Sequence, residues 1–415
     1  MAFDPEQMKR RRQQRAQQRA KQAAQRRRTL TGVLAAVVIL CVCLGLIFLR
    51  GRGPQEHPEQ TTNSMQDSTQ KQESSTTIHF VAGGDLNVTD GVVASGGSDY
   101  DYTGVFMDIA HLLADGDLTA LNFEGNLCGA PYGAASAPIA LAQALDRAGV
   151  DLLQLANSCS INRGLSGLKD TINGVRVAGM EPLGVYATRE EAGKGKGYTI
   201  CNVRGIKIGV VSFTKGMDGL TLPADGTGCV NVLYKDYDSV YQEVDTEGIT
   251  SVLEALDKEK PDVTVALLHW GSEYNDTISS SQKQIVSLLQ SKGVDAIVGT
   301  HSHYVQKMEY NPDTGAFVAY SLGDFYGDVP RAGTEYSVLL DLEITKDHTT
   351  GQTKITGYDY TPIFTVTQDG LPQRVVRIRE AMAAWEAGHI NAVSKETYNA
   401  MAYALTRIEA RVAGK

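Results

Sequence analysis

The stretch of sequence that decides the fold is residues 263–303, VTVALLHWGSEYNDTISSSQKQIVSLLQSKGVDAIVGTHSH. It contains two short apolar runs, 263–269 and 296–299, separated by a segment with apolar positions at helical spacing. This order of strand, helix and strand predicts two parallel strands joined by a crossover helix. The first run ends on His269, and His301 and His303 follow the second. The polar ends of parallel strands meet at one sheet edge, where α/β proteins bind ligands.

The same alternation of apolar runs and amphipathic stretches begins at residue 78 and predicts an α/β fold with a mainly parallel sheet. The predicted strands are 78–82, 118–123, 152–156, 206–213, 263–269 and 296–299, and the predicted helices are 105–114, 139–148, 164–173, 248–259 and 280–291. After residue 304 the pattern changes to a hairpin around residues 311–315 and further strands, which predicts an antiparallel part. Residues 375–413 have helical spacing and predict one or two surface helices.

Composition excludes fibrous classes of protein. The chain has 415 residues with 42 glycines and 12 prolines, and no Gly-X-Y period is present. Collagen and coiled coils are therefore excluded. The length suits one large domain or two ordinary ones.

Charge is distributed unevenly along the chain. The net charge is -9, but residues 1–52 contain twelve Lys or Arg and two acids, so the 39 bases and 48 acids of the whole chain leave 27 bases and 46 acids, or -19, beyond residue 52. An acidic body repels nucleic acid, so we expect no nucleic-acid partner.

Residues 29–49 predict a transmembrane anchor. They form 21 consecutive residues without a charge, between Arg28 and Arg50. A helix of that length crosses a hydrocarbon core of about 30 Å. A buried core helix is the alternative, whereas a cleaved signal peptide would have a shorter apolar stretch. The basic residues before the span favour a cytoplasmic N-terminus and an extracytoplasmic body in a single-pass membrane protein.

The predicted organisation is a basic arm at 1–28, the anchor at 29–49, a disordered linker at 50–77, a folded domain at 78–370 and a helical extension at 371–415. The linker is rich in Gln, Ser and Thr and has little apolar surface to bury. Four cysteines follow it. Outside the cytoplasm they form two disulfides, for which the pairs Cys128–Cys159 and Cys201–Cys229 are favoured, or they are buried thiols.

Polar groups end each predicted parallel strand. They are Asp85, Asn122, Glu124, Asn157, His269, His301 and His303. Singly, each has an ordinary structural interpretation as a turn residue, a helix cap or a half-buried histidine. If the chain stays extended after the last strand, His301 and His303 point to one side and bind one ion. Together, carboxylates, amides and imidazoles suit divalent Zn, Mn or Fe, and the set is large enough for two ions.

Six blocks of sequence resemble, in order, the motifs of the CapA family of bacterial poly-gamma-glutamate capsule-synthesis proteins, which is similar to calcineurin-like metallophosphatases. The blocks are GD at 84–85, NFE at 122–124, LAN at 155–157, LHWGSEY at 268–274, GTHSH at 299–303 and YSLGDF at 320–325. The resemblance covers about residues 78–330. It implies a metallophosphatase-like sandwich with mixed sheets and flanking helices, and a role in making or exporting poly-gamma-glutamate or a related polymer.

The resemblance also implies roles for individual residues. The implied ligands of two divalent ions are Asp85, Glu124, Asn157, His269, His301 and His303. The implied catalytic residues are Cys159, Arg163 and His269, and the implied substrate-binding residues are Asn87, Asn122, Trp270, Glu273 and Asp324. The implied partners are the membrane, the anionic polymer, and membrane synthase or export subunits.

Departures from the family pattern weaken the catalytic interpretation. Cys159 stands where the family has a histidine that protonates the leaving group, and Asp324 replaces an asparagine. Asn87 stands where a phosphatase has another histidine. We therefore expect metal binding to survive better than hydrolysis. The expected function is either assembly of an anionic polymer by a metal-lined cleft or metal-dependent hydrolysis of phosphoester or polymer bonds, in which Arg163 would hold an anionic group.

Overall fold

A computed structural model of the chain describes residues 74–195, 197–367, 373–389 and 393–415. The strands are β1 (Ser75–Asn87), β2 (Leu118–Glu124), β3 (Leu152–Gln154), β4 (Glu181–Leu183), β5 (Tyr198–Val203), β6 (Ile206–Thr214), β7 (Val263–His269), β8 (Ala296–Thr300), β9 (Met308–Tyr310), β10 (Phe317–Ala319), β11 (Asp324–Tyr326), β12 (Tyr336–Asp347), β13 (Thr353–Val366) and β14 (Arg374–Arg377). The helices are α1 (Asp90–Ala94), α2 (Thr103–Phe106), α3 (Ala110–Asp115), α4 (Ile139–Ala148), α5 (Gly164–Ala178), α6 (Arg189–Gly195), α7 (Thr246–Asp257), α8 (Ser280–Ser291), α9 (Ile378–Glu386) and α10 (Lys395–Val412).

The strands form two mixed sheets. The first has the order β14-β13-β12-β1-β2-β3-β4, with β11 beside β1, and the second has the order β5-β6-β7-β8-β10-β9. Phe80 of β1 lies opposite Leu342 of antiparallel β12 and opposite Leu118 of parallel β2. The strand pattern predicted a mainly parallel sheet followed by an antiparallel part, but the antiparallel strands join both sheets, which are mixed as the family resemblance implied. The long strands β12 and β13 extend the first sheet, and the hairpin of β9 and β10 extends the second.

The two sheets face each other, and helices cover their outer faces. Phe80 of the first sheet and Val265 of the second lie in the same core between the sheets. Their neighbours Val81 and Ala266 lie in the two outer cores, because successive side chains of a strand point to opposite faces. Helices α4 and α5 cover the first sheet, and α7 and α8 cover the second. The result is a mixed α/β sandwich with flanking helices.

The amphipathic pattern located most elements of the parallel part. Helices α4 and α8 and strand β7 have the predicted limits. The predicted helix at 105–114 is instead two short helices, α2 and α3. Strands β4 and β5 were not predicted; β4 is only three residues long and includes Pro182, which weakens the strand pattern.

Both ends of the described domain differ from the composition-based limits. Strand β1 includes residues 75–77 of the predicted linker, because their backbone pairs with β12. The C-terminal segment begins with strand β14 before its two helices. The helix α10 buries Met401 and Ile408 in the core between the sheets, so it is part of the sandwich packing.

The predicted basic arm and anchor, and the linker up to residue 73, lie outside the described residues. In the described ranges, no helix has the length and apolar character needed to cross a membrane. The four described cysteines are thiols, so the favoured disulfide pairing is wrong and the alternative of thiols holds. Cys201 and Cys229 are buried, and the other two are partly buried.

Candidate metal centre

A glycine pair in β1 brings Asp85 to the carboxyl edge of the first sheet. The pairing between β1 and β2 shifts register between Ala82 and Asp85. A Cβ atom on Gly84 would lie 1.7 Å from the carbonyl oxygen of Gly323, so only glycine permits this close approach of two backbones. The backbone N–H of Asp85 donates to that same carbonyl at 3.0 Å. Asp85 therefore lies beside Asp324, its register partner in β11.

Glu124, His269 and His301 form the first group of candidate ligands. Each offers one ligand atom, and these atoms lie within 4.8 Å of one another. His269 Nε2 is 3.5 Å from Glu124 Oε1, and the His269 and His301 ring centroids are 4.4 Å apart. The group joins the ends of β2, β7 and β8, so it forms only when the two sheets pack together.

Asp85, His303 and Asp324 form the second group, within the same 4.8 Å limit. His303 Nδ1 is 2.7 Å from Asp324 Oδ1. The backbone N–H of His301 donates to Asp85 Oδ2 at 2.9 Å, which links the second group to the first. All six side chains of the two groups are buried.

Two asparagines connect the groups. Asn122 Nδ2 donates to Asp85 Oδ1 at 2.6 Å and lies 3.3 Å from His269 Nδ1. Asn157 Nδ2 donates to Asn122 Oδ1 at 3.0 Å, and Asn157 Oδ1 accepts the backbone N–H of Cys159. Asn122 thus orients ligand side chains from the interior, and its substrate-binding role stays a prediction. The metal-ligand role of Asn157 stays a prediction.

The two histidines of the GTHSH block are divided between the groups. Strand β8 ends at Thr300, and His301 and His303 have φ angles of +88° and +60°. These left-handed conformations are uncommon for non-glycine residues and concentrate at functional sites. The backbone turns immediately after β8, so the chain is not extended at His301 and His303. The condition under which both imidazoles would bind one ion is therefore not met.

Charge and burial give the histidines different protonation states. Burial opposes protonation of His269, but the carboxylates of Glu124 and Asp85 outweigh it and raise its pKa to about 9. Burial, and next the charges of His269 and Lys215, hold the pKa of His301 well below its ordinary value. Burial also opposes protonation of His303, whose hydrogen bond to Asp324 nevertheless raises its pKa. Burial thus favours the neutral form of the His301 imidazole, which is the form that binds metal.

The side chains present fit divalent metal ions. Glu124 Oε2, both ring nitrogens of His301 and Asp324 Oδ2 are buried without a hydrogen-bond partner among the described residues. Buried polar atoms are normally paired, so these atoms indicate a missing electropositive partner. Imidazole nitrogens and carboxylate oxygens suit Zn, Mn or Fe. An ion held by either group would stabilise negative charge on a bound substrate.

The residues predicted to contact substrate have different environments. Trp270 is fully buried, donates from Nε1 to the carbonyl of Tyr320 at 2.9 Å and stacks on the Tyr320 ring. It belongs to the outer core of the second sheet and has no surface for substrate. Glu273 is exposed, and Asn87 is half-buried. Asp324 was predicted to bind substrate, but it lies in the second group of candidate metal ligands.

The predicted catalytic residues are also divided. His269 lies in the first group, with Ser158 Oγ 3.1 Å from its Nε2. Cys159 is partly buried, and burial followed by the charge of Glu124 raises its thiol pKa well above the ordinary value. Such a thiol is a poor proton donor near neutral pH. Arg163 is exposed at the N-cap position of α5.

Sequence reasoning missed two charged residues of the loop after β6. Lys215 donates from its backbone N–H to the carbonyl of His269 at 2.8 Å. Burial raises the pKa of Asp218, and the nearby charge of Glu124 raises it further. The position of Lys215 directly after a strand is the same signal that identified the other site residues.

The fold is a sandwich of two mixed sheets with histidine and carboxylate groups at the sheet edge. The family model described as bacterial capsule synthesis protein PGA_cap matches residues 79–329, and the chain belongs to this family. The chain is 29% identical over 233 residues to the PGA biosynthesis protein CapA of Bacillus subtilis, covering 55% of this chain and 56% of that protein. It is 26% identical over 263 residues to the capsule biosynthesis protein CapA of Bacillus anthracis, covering 61% and 60%.

These alignments therefore span little more than half the length of each relative. Among solved structures, the calcineurin-like phosphoesterase YfkN from Bacillus subtilis is similar with a TM-score of 0.43 and 16% identity, covering 81% of this chain and 98% of that chain. That similarity is too low to support a conclusion about activity.

Proposed function

We propose that this chain is a membrane-anchored, extracytoplasmic protein that binds two divalent ions and positions poly-gamma-glutamate or a related anionic polymer during its synthesis or export. Family membership supports the capsule role. The observation that carries the proposal is the pair of adjacent buried ligand groups, in which Glu124 Oε2, both ring nitrogens of His301 and Asp324 Oδ2 have no hydrogen-bond partner among the described residues.

Divalent ions held by the ligand groups would provide the local positive charge that such a polymer requires. The chain beyond residue 52 has a net charge of -19, from 27 bases and 46 acids, so it repels a polyanion at long range. Glu124, Asp85 and Asp324 add three buried carboxyl groups to the site. Divalent ions would reverse the local sign of the potential. Zn, Mn and Fe are the proposed ions.

Metal analysis combined with polymer binding tests this function. The full-length chain is purified without chelator or affinity nickel, its metal content is measured, and binding of a γ-linked glutamate oligomer is followed with and without EDTA. We expect up to two ions per chain and loss of binding after chelation. Unchanged binding of the oligomer to metal-free protein would reject the proposal.

A metal-dependent hydrolase is the second candidate, and the adjacency of the two ligand groups favours it. The Cys159 thiol opposes it, because its raised pKa leaves the site without an effective donor for the leaving group at that position. We therefore expect weak turnover or none. Rapid cleavage of a phosphodiester or of the polymer by purified protein, abolished in His301→Ala, would favour the hydrolase instead.

The proposed location rests on residues 29–49 and their basic flank. We expect the full-length chain in the membrane fraction and a variant lacking residues 1–49 in the soluble fraction. Protease added outside intact cells is expected to digest the body. Protection of the body in intact cells would contradict the orientation. Synthase or export subunits are the proposed protein partners, to be recovered by cross-linking and co-purification.

A further inference from the structure

Two basic side chains lie next to the ligand groups, one beside each. Lys215 follows β6 and is partly buried, with its Nζ donating to the carbonyl of Gly271 at 3.1 Å and lying 4.5 Å from the Tyr241 ring centroid. The backbone N–H of Lys215 donates to the carbonyl of His269 at 2.8 Å, and Gly271, which accepts from its Nζ, lies two residues after His269. Lys215 is therefore held at the strand end that carries His269 of the first group.

Arg331 approaches the second group through the ring of Tyr274. Its guanidinium carbon is 4.2 Å from the Tyr274 ring centroid. Tyr274 in turn stacks on His303, with centroids 4.9 Å apart and an angle of 23° between the rings. The backbone N–H of Tyr274 donates to the carbonyl of Ser302 at 2.8 Å, which fixes this ring between the arginine and the histidine.

Neither cation is neutralised by a salt bridge to a described residue. Glu273 and Asp218 raise the pKa of Lys215 from a distance, but burial outweighs them and lowers it. By contrast, Lys235 of the same loop is paired with Glu243 at 2.8 Å. The Lys215 ammonium has three N–H donors and uses one of them on the Gly271 carbonyl. The Arg331 guanidinium stacks on the Tyr274 ring with its face, which leaves the N–H donors along its edge available. Both cations thus retain donors for an anion.

We propose that Lys215 and Arg331 bind two anionic groups of one substrate, so that the site selects a ligand carrying repeated carboxylates over a ligand with a single one. This assignment rests on the proposed function, because the same cleft and the same polymer are involved. It assigns recognition to fixed side-chain charges in addition to metal ions. A polymer with a carboxylate on each repeat meets this requirement, whereas a neutral polymer of the same backbone does not.

Fluorescence anisotropy on the metal-loaded, full-length chain tests the assignment. The probes are a labelled γ-linked glutamate oligomer and a γ-linked glutamine oligomer of equal length. The variants are Lys215→Met, Arg331→Met and Lys215→Arg, with Lys235→Met as the matched control. Metal content and the unfolding midpoint are measured for each variant, so that loss of ions or of folding is detected separately.

We expect Lys215→Met and Arg331→Met each to weaken binding of the glutamate oligomer at least about tenfold, as for loss of a charge-assisted hydrogen bond. Lys215→Arg and Lys235→Met are expected to bind within about twofold of wild type, and no protein to bind the glutamine oligomer. If the wild type binds the glutamate oligomer and both Met variants bind it within twofold of the wild type, the assignment of Lys215 and Arg331 is overturned and the proposed function is not. Absence of wild-type binding with metal bound would overturn the proposed function and the assignment with it.

Discussion

Replacement of His301 by leucine is expected to stabilise the metal-free protein and to reduce the stabilisation that metal provides. His301 is 1% exposed, and neither ring nitrogen has a hydrogen-bond partner among the described residues. A buried polar group without a partner costs about 1–3 kcal/mol. Leucine has a similar volume and keeps the same backbone φ, so the substitution removes this cost. We expect His301→Leu to stabilise the metal-free protein by about 1–3 kcal/mol.

Metal is expected to offset this gain. At a free ion concentration of about 100 times the Kd, binding stabilises the wild type by about 2.7 kcal/mol. If loss of the imidazole weakens the affinity about a hundredfold, the same concentration stabilises the variant by only about 0.4 kcal/mol. The effect of metal on the free energy of unfolding thus differs by about 2 kcal/mol between the two proteins.

Urea unfolding with EDTA and with saturating Zn²⁺ or Mn²⁺ gives the free energies of unfolding of the wild type and of His301→Leu, each without and with metal. The difference of differences is insensitive to small packing changes, because these affect both metal states equally. Equal stabilisation of wild type and variant by metal would refute the role of His301 as a ligand. Destabilisation of the EDTA-treated variant would show that the imidazole is well satisfied without an ion.

Three further predictions concern other positions. Burial raises the pKa of Glu181 from 4.5 to about 7, so this carboxyl ionises at lower pH in the unfolded chain than in the folded one. The free energy of unfolding of the wild type should therefore fall by about 3 kcal/mol from pH 4.5 to 7, and Glu181→Gln should remove this pH dependence in urea unfolding. Parallel pH profiles of wild type and variant would contradict the prediction. Trp270→Ala should lower the free energy of unfolding by about 3–5 kcal/mol, because the ring fills an outer core. Trp270→Phe should retain polymer binding in the anisotropy assay. Loss of binding in a folded Trp270→Phe variant would instead support contact between Trp270 and substrate. Asp324→Asn should lower the metal content by one ion in elemental analysis, and Asp328→Asn should leave it unchanged; equal metal content in both would place Asp324 outside the ligand set.

Much of the site was predictable because strand ends are local features. The apolar run at 263–269 identifies β7, and His269 ends it in both the prediction and the structure. Asp85 and Glu124 follow from the same reasoning, since the carboxyl ends of parallel strands meet at one edge. The structure brings these three residues together. Their roles as ligands remain predictions until metal is measured.

Other features depend on contacts that no local pattern encodes. Trp270 directly follows a site residue, yet its ring packs on Tyr320 in an outer core. Asp324 joins the ligands only because β11 pairs with β1 across 239 positions, from 85 to 324. Lys215 reaches the site because β6 and β7 are neighbours in the second sheet.

The sequence by itself determined the alternation of strands and helices, the acidic body, the predicted anchor and the set of polar residues at strand ends. Periodicity and composition are read along the chain, so they are available before folding. Only the tertiary structure decided how those residues are grouped. His301 and His303 are two positions apart, but left-handed backbone after β8 directs them to different groups. Side-chain direction beyond a strand end depends on packing of the two sheets, which local periodicity does not specify.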